Sequence, residues 1–249
     1  MRIAAKVADC ARDPLAWALA ALLFLALDMQ ALRPLFAAAF PALDRPLYEQ
    51  EGFGALLLEH LGIVAAAGLA ATGAGLAAGI AVTRAAGREF LPMVETVVSI
   101  GQTVPPVAVL AIAIPLIGFG QEPAILALAL YGVLPVLRAT IAGIDSVPAG
   151  MREAADGLGM RALQRLWFLE LPLALPVILA GIRTSVVISI GTAAIASTAG
   201  ARTLGSPILL GLSGFNTAYV IQGALMVGLL AVVADMAFER AGRQFDQRR

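Results

Sequence analysis

The chain has 249 residues, of which 60% are hydrophobic and only 14% are charged, and its formal net charge at pH 7 is zero. Soluble domains carry about 25% charged residues, and the deficit is typical of membrane spans because a charge in hydrocarbon is costly. The zero net charge gives no reason to expect a nucleic-acid partner. A single cysteine (Cys10) and a single histidine (His60) exclude an intrachain disulfide and a thiolate metal cluster, and they disfavour a membrane-embedded enzyme. We therefore predict no catalytic residue, no metal site and no cofactor.

The first apolar segment, Leu15–Leu27, follows three basic residues, Arg2, Lys6 and Arg12. The pattern has two interpretations. It is either a signal peptide with a cleavage site at the alanines 37–39, or an uncleaved first transmembrane helix. We favour the helix because apolar residues resume after it and because the topology below needs this span.

The segment Asp28–Gln50 contains three prolines and predicts an extracytoplasmic loop. Residues 1–52 are therefore predicted to form an N-terminal unit, a transmembrane helix and a loop, ahead of a five-helix core at residues 53–249. Phe53–Leu58 predicts a short helix on the membrane surface. His60, beside Glu59, is predicted to be an interfacial residue and not a catalyst.

Two uncharged segments follow. Leu61–Val82 has 22 residues, and at about 1.5 Å per residue it can cross a hydrocarbon core of about 30 Å. Thr96–Gly120 has 25 residues but is interrupted by Pro105-Pro106, a pair that bends or breaks a helix. Either this is a kinked helix that only packs, or its broken backbone lines a protein-enclosed path. On the second interpretation Gln102, Thr103, Pro105 and Pro106 are candidates for the translocation pathway.

Three more spans are predicted at Ala124–Leu137, Leu173–Ala196 and Tyr219–Ala234, with a re-entrant or surface segment at 197–216. The fifth span contains one charge, Arg183. It is either a pathway or gating residue, paired with Glu95 or with carbonyls of the broken helix, or a side chain that reaches toward the membrane surface. The remaining polar candidates for the path are Ser189, Thr192 and Asn216.

The basic residues are unevenly distributed. With six spans, most of the 17 Lys and Arg residues lie on the side that holds both termini. The positive-inside rule then places both termini in the cytoplasm, together with the polar segment Asp145–Pro172.

The polar segment predicts two short helices. Ser146 and Pro148 are helix-start residues, and Gly157 and Gly159 can end a helix, which predicts a first helix at Pro148–Asp156. A second helix is predicted at 160–170, ending before Pro172. In it Leu163, Leu166 and Trp167 would form an apolar stripe that faces the membrane base.

The polar segment also carries a motif of known type. It reads Glu153-Ala154-Ala155, three residues, Gly159, nine residues, Leu169, one residue, then Leu171-Pro172. This resembles the EAA-x3-G-x9-I-x-LP loop of binding-protein-dependent ABC importer permeases of the MetI-like type, with Leu in place of Ile. Stretches such as SIGQTVPPVAVLAIAIPLIGFG and GIRTSVVISIGTAAIAS are similar to osmoprotectant and glycine betaine uptake permeases. The N-terminal DPLAWALAALLF is most similar to the Yeh-type glycine betaine uptake permease.

The resemblance implies an all-α polytopic transmembrane bundle of about six spans in the inner membrane, with both termini inside and a cytoplasmic coupling helix. It implies a complex with two cytoplasmic ATP-binding subunits, a second permease (as a homodimer or a heterodimer) and an extracytoplasmic solute-binding protein. The transported solute would be a quaternary ammonium osmoprotectant such as glycine betaine or choline. The residues that would couple to the ATPase are positions of the motif together with Asp156, which directly follows Ala155. They are Glu153, Ala154, Ala155, Asp156, Gly159, Leu171 and Pro172.

Other functions remain as alternatives. A phosphate-binding loop needs a Gly-Lys pair, and the only lysine, Lys6, has no glycine before it, so ATP hydrolysis would belong to another polypeptide. A permease for another small solute, such as an amino acid, is a second possibility. A secondary transporter that acts alone is a third, and the missing inverted repeat and ion-coupling carboxylates argue against it.

Overall fold

The structure, a computed structural model, describes residues 13–246, and this part of the chain is helical without a strand. The predicted all-α class is confirmed. The basic residues Arg2, Lys6 and Arg12 lie outside the described residues, as do Arg248 and Arg249.

The first helix, α1, is Pro14–Leu27. It begins there because the Asp13 carboxylate accepts a hydrogen bond from the Leu15 amide at 3.1 Å and because proline suits a first turn. A 3₁₀ turn, Met29–Leu32, and α2, Arg33–Ala39, follow after a bend of 91°. The prediction of a loop from Asp28 onward is therefore wrong for its first part. The Asp28 carboxylate accepts from the Ala31 amide and so starts the second helical segment.

The second long helix, α3, is Phe53–Thr83. The prediction of a separate surface helix at Phe53–Leu58 is wrong, because α3 continues through Glu59 and His60 without a break. His60 is fully buried, and its Nε2 atom lies 3.1 Å from the carbonyl oxygen of Ile190. It is not an interfacial residue, since a buried hydrogen bond to a neighbouring helix removes the need for water.

The third span is broken, as predicted. A 3₁₀ turn, Arg88–Phe90, leads into α4, Leu91–Thr103, and α5, Pro106–Ile117, follows at an angle of 88°. The break falls at Val104 and Pro105 because neither proline can donate an amide to the preceding turn. Pro92 occupies the first turn of α4, so this helix begins earlier than the predicted Thr96.

The fourth span, α6, is Gln121–Asp145. It begins three residues before the predicted Ala124 and extends eight residues beyond the predicted end at Leu137. The short helix α7, Ala149–Gly157, comes next. Ser146 does not cap it; its hydroxyl donates to the Gly143 carbonyl at 2.7 Å and belongs to the end of α6. Gly159 has a φ of 75°, the left-handed conformation that glycine adopts cheaply after a helix.

The second predicted helix of the polar segment does not end at Pro172. A short α8, Ala162–Arg165, a π turn, Leu166–Glu170, and α9, Leu171–Ala193, form one continuous helical segment. The proline is tolerated because it lies in the first turn of α9, after the wide turn has used the Leu171 amide on the Leu166 carbonyl. Of the predicted apolar stripe, only Leu166 is buried; Leu163 and Trp167 are exposed.

The chain ends with α10, Ser206–Ser213, and α11, Thr217–Asp246, after a 3₁₀ turn at Ala194–Ala199. The predicted re-entrant or surface segment thus contains a helix that packs against α11. Four of the described helices are each long and apolar enough to cross a membrane: α3, α6, the continuous Ala162–Ala199 and α11. Counting each bent pair as one span gives up to six.

The centre of the bundle is the packing of α3, α6 and α9. A Cβ atom on Gly132 of α6 would lie 2.5 Å from the Ser185 hydroxyl and 2.8 Å from the Ala71 methyl, so only glycine allows this approach. The main apolar core continues from these helices to Leu22, Leu25 and Phe36 of the N-terminal helices. The division at residue 52 stays a prediction.

Candidate functional site

The bundle has two ends. The α7 end holds α7, the turn after α3 and the start of α8. The opposite end holds the turns between α5 and α6 and between α9 and α10.

The short helix α7 presents most of the motif residues to the outside. Glu153, Ala154, Asp156 and Gly159 are exposed, whereas Ala155 is 5% exposed and packs against the chain itself. The predicted bare Ala154-Ala155 surface is therefore reduced to Ala154, because α7 uses Ala155 to lie close to the bundle.

Beside Ala154, two large apolar side chains of this segment are exposed. Met151 is 48% exposed and Leu158 is 80% exposed. Met151, Ala154 and Leu158 follow each other at helical spacing, so they lie on one side of α7. An apolar face that the chain does not cover is typical of a protein interface.

Behind α7 a buried carboxylate meets three arginines. The Glu170 side chain is 3% exposed. Its oxygens lie 2.7 Å from Arg84 Nη1, 3.2 Å from Arg165 Nε and 4.0 Å from Arg152 Nε. We call these four residues the Glu170 cluster. A buried charge is costly unless it is compensated, and here the compensation comes from three separate segments of the chain.

Two further contacts attach α7 to this cluster. Arg165 also donates to the Asp156 carboxylate, with Nη1 2.6 Å from Oδ2. Arg152 also donates to the Ile144 carbonyl near the end of α6, where a positive charge interacts favourably with the negative end of the helix dipole. Together with the turn after α3, the cluster borders a cavity of about 680 Å³.

Two reciprocal hydrogen bonds join the broken third span to α6. Gln102 Nε2 donates to the Tyr131 carbonyl at 2.6 Å, and the Tyr131 hydroxyl donates to the Val104 carbonyl. The Tyr131 carbonyl is available because Pro135, four residues later, has no amide hydrogen. The Val104 carbonyl is available because the Ala108 amide bonds to Pro105 instead. Side chains thus satisfy the backbone groups that the two breaks release.

The predicted pathway residues do not form one site within the chain. Thr103 and Pro105 are exposed at the break, and Gln102 is half-buried there. Pro106 and Thr192 line the same small cavity between α5, α6 and α9. Ser189 is buried in the bundle. Asn216 lies elsewhere, where its amide donates to the Arg45 carbonyl at 2.9 Å and its Oδ1 accepts from the Tyr219 amide.

Arg183 is paired, but not with Glu95 or with the broken helix. Its Nε and Nη2 atoms lie 2.5 and 2.6 Å from the two oxygens of Asp235 on α11. Both predicted partners are wrong because α9 packs directly on α11 at this level. A two-pronged arginine–carboxylate pair has strong, directional geometry, so it links the fifth and sixth spans.

Sequence reasoning did not predict the contacts of four polar side chains that join different segments of the chain, and two of them had a signal. Glu170 and Asp235 are single acids within apolar runs, a pattern that calls for a buried partner. Tyr131 and His60 had none, because each is recognised only by a carbonyl that tertiary packing brings to it. His60 Nε2 contacts the Ile190 carbonyl at the end of α9. This carbonyl is available because the Ala194 amide, four residues later, bonds to the Thr192 carbonyl instead.

Residues 71–248 match the model of the family described as binding-protein-dependent transport system inner membrane component. The chain belongs to this family. It is a permease subunit of the ABC importer type and a multi-pass protein of the inner membrane. The predicted resemblance to ABC importer permeases is confirmed.

Relatives and solved structures agree with the family. The chain is 42% identical over 170 residues to the osmoprotectant import permease protein OsmY of Salmonella typhimurium, covering 68% of this chain and 72% of that protein. It is 46% identical over 148 residues to the choline transport system permease protein OpuBB of Bacillus subtilis, covering 59% and 68%. The fold is similar to that of the MetNI methionine ABC transporter in an inward-facing conformation, with a TM-score of 0.69, 24% identity and coverage of 76% and 96%.

Proposed function

We propose that this permease subunit passes a quaternary ammonium osmoprotectant, such as glycine betaine or choline, through the membrane in an ATP-driven importer. The observation that carries the proposal is the exposed face of α7, which bears the motif residues Glu153 and Ala154 on an otherwise membrane-embedded chain. The substrate class is supported by the relatives, which are osmoprotectant and choline permeases.

In this proposal α7 is the coupling helix and lies in the cytoplasm, as do both termini. Two ATP-binding subunits dock there, one on each permease of a homodimer or heterodimer, and they hydrolyse the ATP. Glu153, Ala154, Asp156 and Gly159 contact the ATPase together with the Met151 and Leu158 side chains. Ala155, Leu171 and Pro172 act from within, because Ala155 is buried and the other two begin α9.

The path follows the broken third span. Gln102, Thr103, Pro105 and Pro106 border it, with Thr192 beside Pro106; Ser189, Arg183 and Asn216 complete the proposed set. The exposed α4 fits a position that faces the path or the second permease, since none of its residues, all of which the structure describes, is buried. Such a span can move between two positions when nucleotide binds.

The solute is recognised mainly by a separate extracytoplasmic binding protein. A quaternary ammonium ion is held best by a cage of aromatic rings. The three aromatic pairs found among the described residues all lie near the opposite end or in α2 and its following turn: Phe36 with Phe40, Tyr48 with Phe53, and Tyr48 with Tyr219. None of these rings belongs to the broken span.

The test is ATP hydrolysis and solute uptake by the complex reconstituted in vesicles with its binding protein. We expect glycine betaine or choline, loaded on the binding protein, to stimulate both activities, and methionine or histidine to leave them unchanged. If an amino acid stimulated the activities and the quaternary ammonium compounds did not, the substrate proposal would be wrong. Uptake without ATP would refute the ABC mechanism in favour of secondary transport.

The role of α7 is tested by Glu153→Lys. We expect this change to abolish substrate-stimulated hydrolysis and uptake, because it reverses a charge on the docking face. The matched control is Glu89→Lys, the same charge reversal on an exposed residue of the neighbouring turn. Equal activity of the two variants would show that α7 does not dock on the ATPase.

A further inference from the structure

We propose that Glu170 is a positioning residue that locks α7 to the ends of α3, α6 and α9, so that a displacement of α7 moves all three helices together. This inference rests on the proposed function, since it needs an ATPase that displaces α7. It adds a second route for coupling, through side chains, to the covalent connection of α7 to its neighbours in the chain.

Each arginine of the Glu170 cluster comes from a different part of the bundle. Arg84 directly follows α3, Arg152 belongs to α7, and Arg165 belongs to α8, which continues into α9. Arg152 also reaches the Ile144 carbonyl of α6. The Glu170 carboxylate is therefore linked, directly or through Arg152, to α7 and to all three helices of the central trio.

Because Glu170 is buried, its ion pairs with the arginines are costly to separate. The three arginine side chains are 23 to 28% exposed, and the carboxylate between them is 3% exposed. Removing one partner of a buried ion pair is far more harmful than losing a surface pair. Without the carboxylate, three guanidinium groups would face each other, and among the acids that the structure describes only Asp156 would still pair with one of them.

The π turn explains why Glu170 points inward. Residues three apart in a regular helix lie on the same side, yet Trp167 is 59% exposed and Glu170 is 2% exposed. The wide turn Leu166–Glu170 holds one extra residue, so each residue advances by a smaller angle and the two side chains no longer lie on the same side. Such turns occur frequently at functional sites, and here the turn brings a carboxylate to the arginines while Trp167 stays outside.

The first experiment compares Glu170→Gln with the parent complex in the vesicle assay. We expect solute uptake per ATP hydrolysed to fall about tenfold, within the usual range of coupling between two sites, while hydrolysis itself continues. Arg88→Gln is the matched control, because Arg88 lines the same cavity but is 65% exposed and lies 3.9 Å from its nearest carboxylate, Asp145. A parent complex without stimulated hydrolysis would refute the proposed function, whereas unchanged coupling in Glu170→Gln would refute only this inference.

The main outcome of the second experiment is measured in a protein that keeps Glu170. Spin labels are placed on the exposed Ala86 and Ala149 through cysteines, after Cys10→Ser removes the single native thiol. We expect a narrow distance distribution that is the same without nucleotide and with trapped ATP, because the cluster moves as one body. A change of this distance on ATP binding would overturn the inference, as would an equally narrow distribution in a Glu170→Gln protein that assembles normally.

Discussion

The central trio and the broken third span are held by different balances of close packing and hydrogen bonding. α3, α6 and α9 meet through small residues in direct contact, as at Gly132 with Ser185 and Ala71. α4 and α5 contact the same α6 through the hydrogen bonds of Gln102 and Tyr131 and through partly buried apolar side chains of α4, and the only fully buried side chains of the two helices, which the structure describes completely, are Leu110 and Ala113 on α5. Close packing resists displacement in every direction, whereas a few directional bonds can be exchanged at low cost. The difference separates a rigid frame from an element that can move.

The largest expected effect comes from breaking the frame. Gly132→Val places two methyl groups against Ser185 and Ala71, and overpacking of this kind costs about 1–3 kcal/mol. We expect a strong loss of permease from the membrane and a lower unfolding temperature of the purified complex. Gly73→Val is the control, because a Cβ at Gly73 meets open space. Similar abundance of both variants would show that the trio tolerates separation.

A smaller effect is expected at the link between the frame and α11. Arg183→Gln leaves the Asp235 carboxylate without its two-pronged partner, which disfavours insertion of α11 and lowers membrane abundance several-fold. Asp235→Asn in the same chain removes the orphaned charge and should restore abundance.

The double variant also separates structure from transport. Normal abundance with persistent loss of uptake in Arg183→Gln/Asp235→Asn would keep Arg183 among the pathway residues. Full recovery of uptake would leave it only a packing role, measured by immunoblotting and vesicle uptake side by side.

The smallest effect on stability is expected at the broken span. Tyr131→Phe removes the hydrogen bond to the Val104 carbonyl, at a cost of about 1 kcal/mol. Abundance should barely change. The break should open more often, so that Thr103→Cys, in a Cys10→Ser background, reacts faster with a polar maleimide. Tyr219→Phe is the control, since none of the described hydrogen bonds involves its hydroxyl. Equal labelling rates would contradict the mobile role of this span.

Predictions from sequence succeeded where the cause is local. Pro105-Pro106 must interrupt a helix wherever it lies, so the break was predictable to within one residue. Composition alone predicted the spans, because hydrocarbon excludes charge. The boundaries failed where a local polar residue suggested an end: Glu59 and His60 within α3, and Gln121 and Glu122 at the start of α6. There, His60 is buried against the Ile190 carbonyl and Glu59 pairs with Arg202, whereas Gln121 and Glu122 lie exposed in the first turn of α6.

The candidate site divides in the same way. The motif Glu153 to Pro172 was visible from its resemblance to the permease loop, and the short helix α7 followed from helix-start residues and glycines. Which side of α7 is free did not, because Ala155 and Ala154 are equally small and only contact with the bundle buries one of them. The partner of Arg183 was equally beyond reach, since Asp235 is 52 residues away.

The sequence by itself determined an all-helical membrane chain, the place of its break and the motif that we propose couples it to a partner. Only the tertiary structure decided how the released polar groups are satisfied. Glu170 is buried because arginines from three segments converge on it. Tyr131 can bond to the Val104 carbonyl because its helix, α6, packs beside the break in the third span. These pairings depend on distances between remote segments, whereas hydropathy and backbone breaks are properties of neighbouring residues.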